Sequence, residues 1–143
     1  MTLYIIQGPN LNLLGIREPE LYGKADYASL CRLIREHCKK KGVKCVLYQS
    51  NHEGDLVDQI HKAYRKGADG IVINPGAYTH TSIALLDAIK AVGIPTAEVH
   101  ISDPDTREEF RKISYIRLAC VATVKGKGFA GYVEAMQLLA KGK

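Results

Sequence analysis

The sequence predicts an α/β protein built on one parallel sheet. Five short apolar runs, rich in β-branched residues, alternate with segments whose apolar residues recur at helical spacing. Such alternation favours parallel strands with helices on both faces. Right-handed crossovers and five strands then favour the three-layer, flavodoxin-like strand order 2-1-3-4-5. The length of 143 residues is that of one domain, so residues 1–143 are predicted to form a single unit.

Each element follows from a local pattern. The predicted strands are the apolar runs at 3–6, 43–48, 71–73, 96–101 and 120–124. The predicted helices carry apolar stripes over 26–42, 56–67, 85–92, 108–113 and 132–140. Asp26 is a suitable N-cap and Gly42 a suitable C-cap for the first helix, while Gly93 and Pro95 end the third.

Composition excludes several classes of protein. The net charge of +5 is scattered and no basic-aromatic stripe occurs, so nucleic-acid binding is not expected. There is neither an apolar run of about 18 residues nor a signal-peptide pattern, so no membrane association is expected. The four cysteines lack zinc-type spacing and are typical of small buried side chains in a reducing cytoplasm, with no metal site.

Ligands of such sheets bind beyond the carboxyl ends of the strands, near the switch point between strands one and three. The connection after strand one, residues 8–23, is too long for an ordinary βα loop and is predicted to be a functional lid containing Arg17 and Tyr22. Residues 74–82 follow strand three and include Asn74 and His80. Each of these residues also has a plain reading as an exposed or packed loop residue.

Strand four ends in a pair of ionisable residues. Glu98 and His100 are two apart, so both side chains point to one face of the sheet. A carboxylate beside an imidazole fixes the tautomer of the ring, and burying the two without such pairing would be expensive. With Asn10, Arg17 and Tyr22, they suit removal of a proton next to a carbonyl and loss of a leaving group.

Other functions compete with this hypothesis. Residues 126–131 match G-x-G-x-x-G, which would suit a flavin- or nucleotide-binding module, but no strand or distant acidic residue follows, so a packing turn is favoured. An imine-forming lyase could use Lys24 or Lys125. An inert regulatory scaffold is the third alternative, and it leaves Glu98 and His100 unexplained.

Several motifs in order resemble the type II 3-dehydroquinate dehydratases over almost the whole chain. They are residues 8–12 (Gly-Pro-Asn-Leu-Asn), 17–19 with 22–23, 50–54 (Ser-Asn-His-Glu-Gly), 74–82, 98–102 (Glu-Val-His-Ile-Ser), 107–108 and 110–111. The resemblance implies a cytoplasmic, flavodoxin-like lyase of the shikimate or quinate pathway. It would convert 3-dehydroquinate to 3-dehydroshikimate by anti elimination of water through an enolate, without a cofactor.

The resemblance also implies roles for individual residues. Tyr22 would be the base, made acidic by Arg17, and a water held by Asn10 would stabilise the enolate. His100, oriented by Glu98, would be the general acid.

Substrate contacts are implied in the same way. The substrate carboxylate would contact Asn74, Ile101 and Ser102. His80 and Arg111 would hold the ring hydroxyls. Asp87 would reach a neighbouring subunit in a homododecamer built as a tetramer of trimers. Asp103 departs from the Asn usual in the family, which puts the hydrogen bonding beside the carboxylate site in question.

Overall fold

The computed structural model describes residues 1–16 and 25–142. Five parallel strands are hydrogen-bonded in the order β2-β1-β3-β4-β5, which confirms the predicted order. The strands are β1 (Thr2–Gln7), β2 (Lys44–Gln49), β3 (Gly70–Asn74), β4 (Thr96–His100) and β5 (Ala122–Lys125). The helices are α1 (Tyr27–Lys41), α2 (Glu53–Arg65), α3 (Ile83–Val92) and α4 (Ala130–Lys141).

Two apolar cores cover the two faces of the sheet. On one face Leu3 and Ile5 of β1 pack with α1 and α4, through residues such as Ile34 and Met136. On the other face Tyr4 and Ile6 lie in the core that α2 and α3 complete. The alternation of inward residues along β1 therefore serves both layers, as expected for a strand buried on both sides.

Local capping fixes where the helices begin and end. The Asp26 carboxylate accepts from the Ser29 N–H and begins α1, and Gly42 ends it in the left-handed conformation. The Ser82 hydroxyl accepts from the Leu85 N–H at the start of α3. The Asp26 and Gly42 caps agree with the sequence prediction, and Ser82 places the start of α3 directly after the loop that follows β3.

The region between β4 and β5 differs from the prediction. Instead of a helix over 108–113, three single-turn 3-10 helices occur, at Pro104–Thr106, Glu109–Lys112 and Ile116–Ala119. No residue of Glu109–Lys112 is buried, so packing does not support a longer helix there. Strand β5 begins at Ala122 rather than Cys120, because Ile116–Ala119 still occupies the preceding residues, and β4 ends at His100 rather than Ile101.

Candidate active site

A cavity of about 210 Å³ lies at the edge of the sheet where β1, β3 and β4 end. Its wall is formed by Pro9, Asn10, Leu11, Asn74, Gly76, Ala77, His80, His100, Ile101, Ser102, Pro104, Arg107 and Arg111. Seven of the predicted site residues therefore share one cavity. A larger cavity of about 470 Å³ between α1 and α4 is lined mainly by apolar side chains and contains none of them.

The loops after β1 and β3 approach so closely that only glycine fits between them. A Cβ on Gly8 would lie 2.5 Å from the Pro75 carbonyl oxygen, and the Gly8 N–H donates to the Asn74 carbonyl at 2.7 Å. Gly76 has a φ of +59° and packs on Pro9. This close approach brings Asn10 and Asn74 to the same cavity.

Asn10 is held by a residue from the neighbouring strand end. It has a φ of 70°, the left-handed conformation that Asn tolerates better than most residues. Its backbone N–H donates to Asn51 Oδ1 at 3.0 Å, and the Asn51 carbonyl accepts from the Tyr78 hydroxyl at 2.8 Å. Asn51 thus ties the loop after β1 to the loops after β2 and β3.

Asn74 is oriented by a neutral network buried beneath the cavity. Its Nδ2 donates to the Tyr132 hydroxyl at 2.9 Å, and that hydroxyl donates to Gln7 Oε1 at 2.7 Å. Its Oδ1 accepts from the Gly76 N–H at 3.2 Å. One Nδ2 hydrogen therefore remains for a ligand, and its direction is fixed by Tyr132 and Gln7.

Glu98 and His100 form the buried pair that their spacing predicts. His100 Nε2 contacts Glu98 Oε2, and Glu98 is fully buried. Glu98 also accepts from Ser114 Oγ at 3.0 Å, and Arg117 Nη2 lies 3.7 Å from its Oε2. Because Nε2 faces Glu98, Nδ1 is the ring nitrogen available to a ligand in the cavity.

His80 lies in a different environment from His100. Its Nδ1 contacts the Ile113 carbonyl oxygen at 2.6 Å. Burial lowers the pKa of His80 below its usual value; the Ile113 carbonyl acts against that change, and the charges of His100 and Arg111 reinforce it. His80 is therefore a neutral hydrogen-bonding group near neutral pH.

Two arginines bring positive charge to the cavity wall. Arg107 and Arg111 both line it. Arg111 is held by Glu108, whose Oε2 accepts from Nε at 2.6 Å, and its guanidinium lies 5.0 Å from the centre of the Phe110 ring. Two guanidinium groups in a small cavity favour an anionic ligand.

The remaining predicted residues lie elsewhere. Arg17 and Tyr22 fall outside the described residues. Asp87 is exposed on α3 and does not line the cavity. The Asp103 carboxylate accepts from the Asp105 N–H at 3.0 Å and has Lys125 Nζ at 3.9 Å, and Asp103 is not among the residues that line the cavity.

Several supporting residues escape prediction from sequence. Tyr132 reads as one more apolar position on the last helix, and Ser114 and Arg117 fall in a segment without periodicity. Gln7 had a weak signal, as a polar residue at the end of an otherwise apolar strand. Arg107 belongs to the motif at residues 107–108, to which the resemblance assigns no role. Among the described residues, no three His, Cys, Asp or Glu side chains cluster as metal ligands would.

Comparisons with known proteins agree on one family. The model of dehydroquinase class II matches residues 1–140. The chain is 52% identical over 137 residues to the 3-dehydroquinate dehydratase of Caldicellulosiruptor saccharolyticus, covering 96% of this chain and 94% of that protein. The crystal structure of type II dehydroquinase from Butyrivibrio crossotus is 50% identical, with a TM-score of 0.97 and coverage of 98% and 97%.

A more distant crystal structure gives the same result. Type II dehydroquinase from Propionibacterium acnes is 35% identical, with a TM-score of 0.93 and coverage of 98% of this chain and 96% of that one. The family model and these relatives define an enzyme of the lyase class that removes water. The chain belongs to the class II dehydroquinase family.

Proposed function

We propose that the protein eliminates water from 3-dehydroquinate to give 3-dehydroshikimate, in the shikimate or quinate pathway. One observation carries the proposal: His100, paired with the buried Glu98, lines one small cavity at the strand ends together with two arginines. The pair suits proton transfer, and the arginines suit a carboxylate substrate. Family membership supplies the identity of the substrate.

The acid step is supported by the pairing of His100. With Nε2 facing Glu98, a protonated ring has its second N–H on Nδ1, directed to the cavity. This N–H gives its proton to the departing hydroxyl, which leaves as water. Glu98 stabilises the imidazolium before the transfer and holds the ring in one orientation afterwards.

The base step is proposed for the lid. Tyr22, as a phenolate stabilised by Arg17, takes a proton from the carbon beside the ketone. The electron pair moves to the ketone oxygen as an enolate, which a water held by Asn10 stabilises. Collapse of the enolate expels the hydroxyl, and the product is a conjugated enone. No cofactor and no imine takes part in this route.

Substrate binding is proposed for the other residues of the cavity. The carboxylate contacts the backbone amides of Ile101 and Ser102, the Ser102 hydroxyl and Asn74. His80 and Arg111 hold the ring hydroxyls. Their shared position in the wall of one cavity supports this assignment, as does the single Nδ2 hydrogen that Asn74 has left for a ligand.

A homododecamer built from four trimers is proposed, with Asp87 completing a neighbour's site. The described chain supports an interface on this side. Asp87 lies one turn after Ile83 on α3, and Ile83 is 49% exposed. Leu118, on the 3-10 helix that packs against α3, is 71% exposed, and Ile113 is 55% exposed. Sedimentation equilibrium tests the assembly, and a monomer at micromolar concentration would contradict it.

The nucleotide-binding alternative has no support. The glycine-rich residues 126–131 form a tight turn whose amides are already used: the Gly126 N–H donates to the His100 carbonyl and the Gly128 N–H to the Ile101 carbonyl. Gly131 packs against Val99 and Val124. These groups cannot also bind a pyrophosphate.

The decisive experiment mixes the purified protein with 3-dehydroquinate and follows the ultraviolet absorbance of the enone. Tyr22→Phe should lower kcat at least about 100-fold while substrate binding persists. Arg17→Ala should lower kcat and move the limb of the pH profile that reports Tyr22. Borohydride should trap no substrate on the protein; covalent trapping at Lys24 or Lys125 would instead indicate an imine route.

A further inference from the structure

The buried carboxylate of Glu98 has two further partners besides His100, and both come from residues outside the cavity wall. Ser114 Oγ lies 3.0 Å from Oε1 and 3.1 Å from Oε2, and Arg117 Nη2 lies 3.7 Å from Oε2. Both residues belong to the segment that crosses the face of the sheet covered by α3. A fully buried carboxylate without such donors would be strongly unfavourable as an anion.

The direction of the Ser114 hydrogen bond is fixed by the backbone. The Arg117 N–H donates to Ser114 Oγ at 3.1 Å, so the oxygen already accepts on that side. The hydroxyl hydrogen is then left for Glu98, which makes Ser114 a donor to the carboxylate. Ser114 can stabilise the ionised form of Glu98 in this way.

Arg117 adds a charge to the same carboxylate. Its side chain is 36% exposed, and its Nε is buried and has no hydrogen-bond partner among the described residues. The guanidinium therefore lies against Glu98 although one of its donors is left unsatisfied. Attraction to the buried carboxylate accounts for this position, because an arginine at the surface could otherwise turn to water.

We infer that Ser114 and Arg117 are positioning residues for the acid step. They hold Glu98 as an anion in one orientation, so that His100 carries a proton on Nε2 and presents Nδ1 to the cavity. This inference rests on the proposed function of His100, and it adds two residues to which neither the family motifs nor the cavity wall assigns a role.

Other charged or titratable groups lie near the Glu98–His100 pair, but none of them takes the place of Ser114 or Arg117 as a partner of Glu98. His80 and Arg111 lie on the cavity side of His100. Cys120 lies near Glu98, and burial together with the charge of Glu98 raises the pKa of the Cys120 thiol to about 12, so it stays neutral. Lys125 of β5 is directed to Asp105.

The kinetic test compares two pairs of variants. Ser114→Ala should lower kcat about 10-fold, because a hydrogen bond to a charged group is lost. KM should change less than about twofold, because Ser114 makes no contact with the substrate in this proposal. Ser114→Thr keeps the hydroxyl and should restore most of kcat. Arg117→Met should lower kcat about fivefold, and Arg117→Lys should recover part of that loss.

Lys112→Met is the matched control. Lys112 is a neighbouring cation whose partner Glu109 is exposed, so removing it should leave kcat and KM unchanged. Urea unfolding of every variant shows whether it is folded. If Ser114→Ala does not fold, Arg117→Met and Arg117→Lys carry the same comparison.

A spectroscopic readout separates positioning from a merely structural role. In protein with 15N-labelled histidine, long-range 1H–15N correlation at about pH 8.5 should show the His100 ring protonated at Nε2, above the ordinary histidine pKa of about 6.5. Ser114→Ala and Arg117→Met should shift the ring towards a mixture of tautomers.

Two results would overturn the inference. One is a native His100 protonated only at Nδ1, because Nε2 would then accept from a protonated Glu98. The other is a set of folded Ser114 and Arg117 variants with unchanged kcat and unchanged tautomer. Absence of turnover by the unaltered protein would instead refute the proposed function, and the tautomer measurement does not depend on turnover.

Discussion

Two buried polar networks lie beneath the cavity, one on each face of the sheet, and they differ in charge. The network of Gln7, Tyr132 and Asn74 is neutral and lies on the face covered by α1 and α4. The network around Glu98 and His100 is ionic and lies on the face covered by α3. Each orients one residue that reaches the cavity wall.

A neutral network and an ionic network need different numbers of hydrogen-bond partners in order to be buried. Neutral hydrogen bonds contribute about 0.5–1.5 kcal/mol each, and the neutral network leaves one polar atom, Gln7 Nε2, without a hydrogen-bond partner among the described residues. A buried carboxylate needs compensation by several donors, and removing one partner of a buried pair costs about 3–5 kcal/mol. The ionic network accordingly has two further partners for Glu98, which are Ser114 and Arg117. The neutral network instead joins Asn74 to Gln7 through the Tyr132 hydroxyl.

Removing the carboxylate at the centre of the ionic network should have the largest effect. Glu98→Ala leaves His100 and Arg117 without their buried partner, so we expect the free energy of unfolding to fall by about 3–5 kcal/mol. Turnover should be lost as well. Urea denaturation measures the first effect and the enone absorbance the second.

Glu109→Ala is the matched control for this variant. The Glu109–Lys112 pair has a nitrogen–oxygen distance of 2.9 Å, similar to a buried contact, but Glu109 is 88% exposed. Its loss should change the free energy of unfolding by less than about 1 kcal/mol. If Glu98→Ala and Glu109→Ala lowered the free energy of unfolding equally, burial would not make the Glu98 ion pair stronger than an exposed one.

Substitution in the neutral network should lower stability less than Glu98→Ala does, and it should change KM rather than kcat. Tyr132→Phe removes the hydroxyl that accepts from Asn74 and donates to Gln7, so we expect a loss of about 1–3 kcal/mol in the free energy of unfolding. The Asn74 amide then keeps only the hydrogen bond from the Gly76 N–H, so its Nδ2 is less firmly oriented, which should raise KM about 10-fold with kcat little changed.

Tyr64→Phe provides the control, since Tyr64 is largely exposed on α2. It should alter neither stability nor KM. A Tyr132→Phe variant with native KM would separate Asn74 from substrate binding, and one with a large fall in kcat alone would give the neutral network the role assigned to the ionic one.

His80 allows the comparison to be extended to pH. Burial lowers its pKa, so the unfolded chain binds a proton first as pH falls through about 6.5, and the native state follows at lower pH. The contribution of His80 therefore makes the native state less stable as pH falls between those two values. His80→Gln should reduce the loss of stability between about pH 7.5 and about pH 5.5.

Urea unfolding at the two pH values measures this difference. His37 shifts in the same direction, because burial and the nearby Lys41 and Lys40 lower its pKa, so part of the pH dependence should persist in the His80 variant. An unchanged loss of stability in His80→Gln would mean that the environment of His80 does not disfavour its charged form.

Sequence was sufficient for the fold and for the residues at the strand ends. The parallel order follows from alternation of strands and helices, and the Glu98–His100 pair follows from the two-residue period of a strand. Both depend on local spacing, which is visible in the chain itself. The same reasoning placed Asn10 and Asn74 at one edge of the sheet.

The supports of these residues depend on contacts between distant segments and could not be predicted. Tyr132 is separated from Gln7 by 125 positions, and its hydroxyl gives no periodic signal. Ser114 and Arg117 belong to single-turn 3-10 helices and their connections, where the predicted 108–113 helix was wrong. A residue without a regular element has no predictable face, so its partner cannot be inferred from spacing.

Asp103 should give the smallest effect, because its carboxylate belongs to neither network. Its Oδ1 accepts from the Asp105 N–H, which an Asn side-chain oxygen can also do, and Lys125 keeps its contact with Asp105. Asp103→Asn should therefore change stability by less than about 0.5 kcal/mol and leave kcat and KM native. Steady-state kinetics and urea unfolding test this. A large rise in KM would show that the charge of Asp103 acts on residues 101–102, which are proposed to bind the substrate carboxylate, although the Asp103 side chain does not line the cavity.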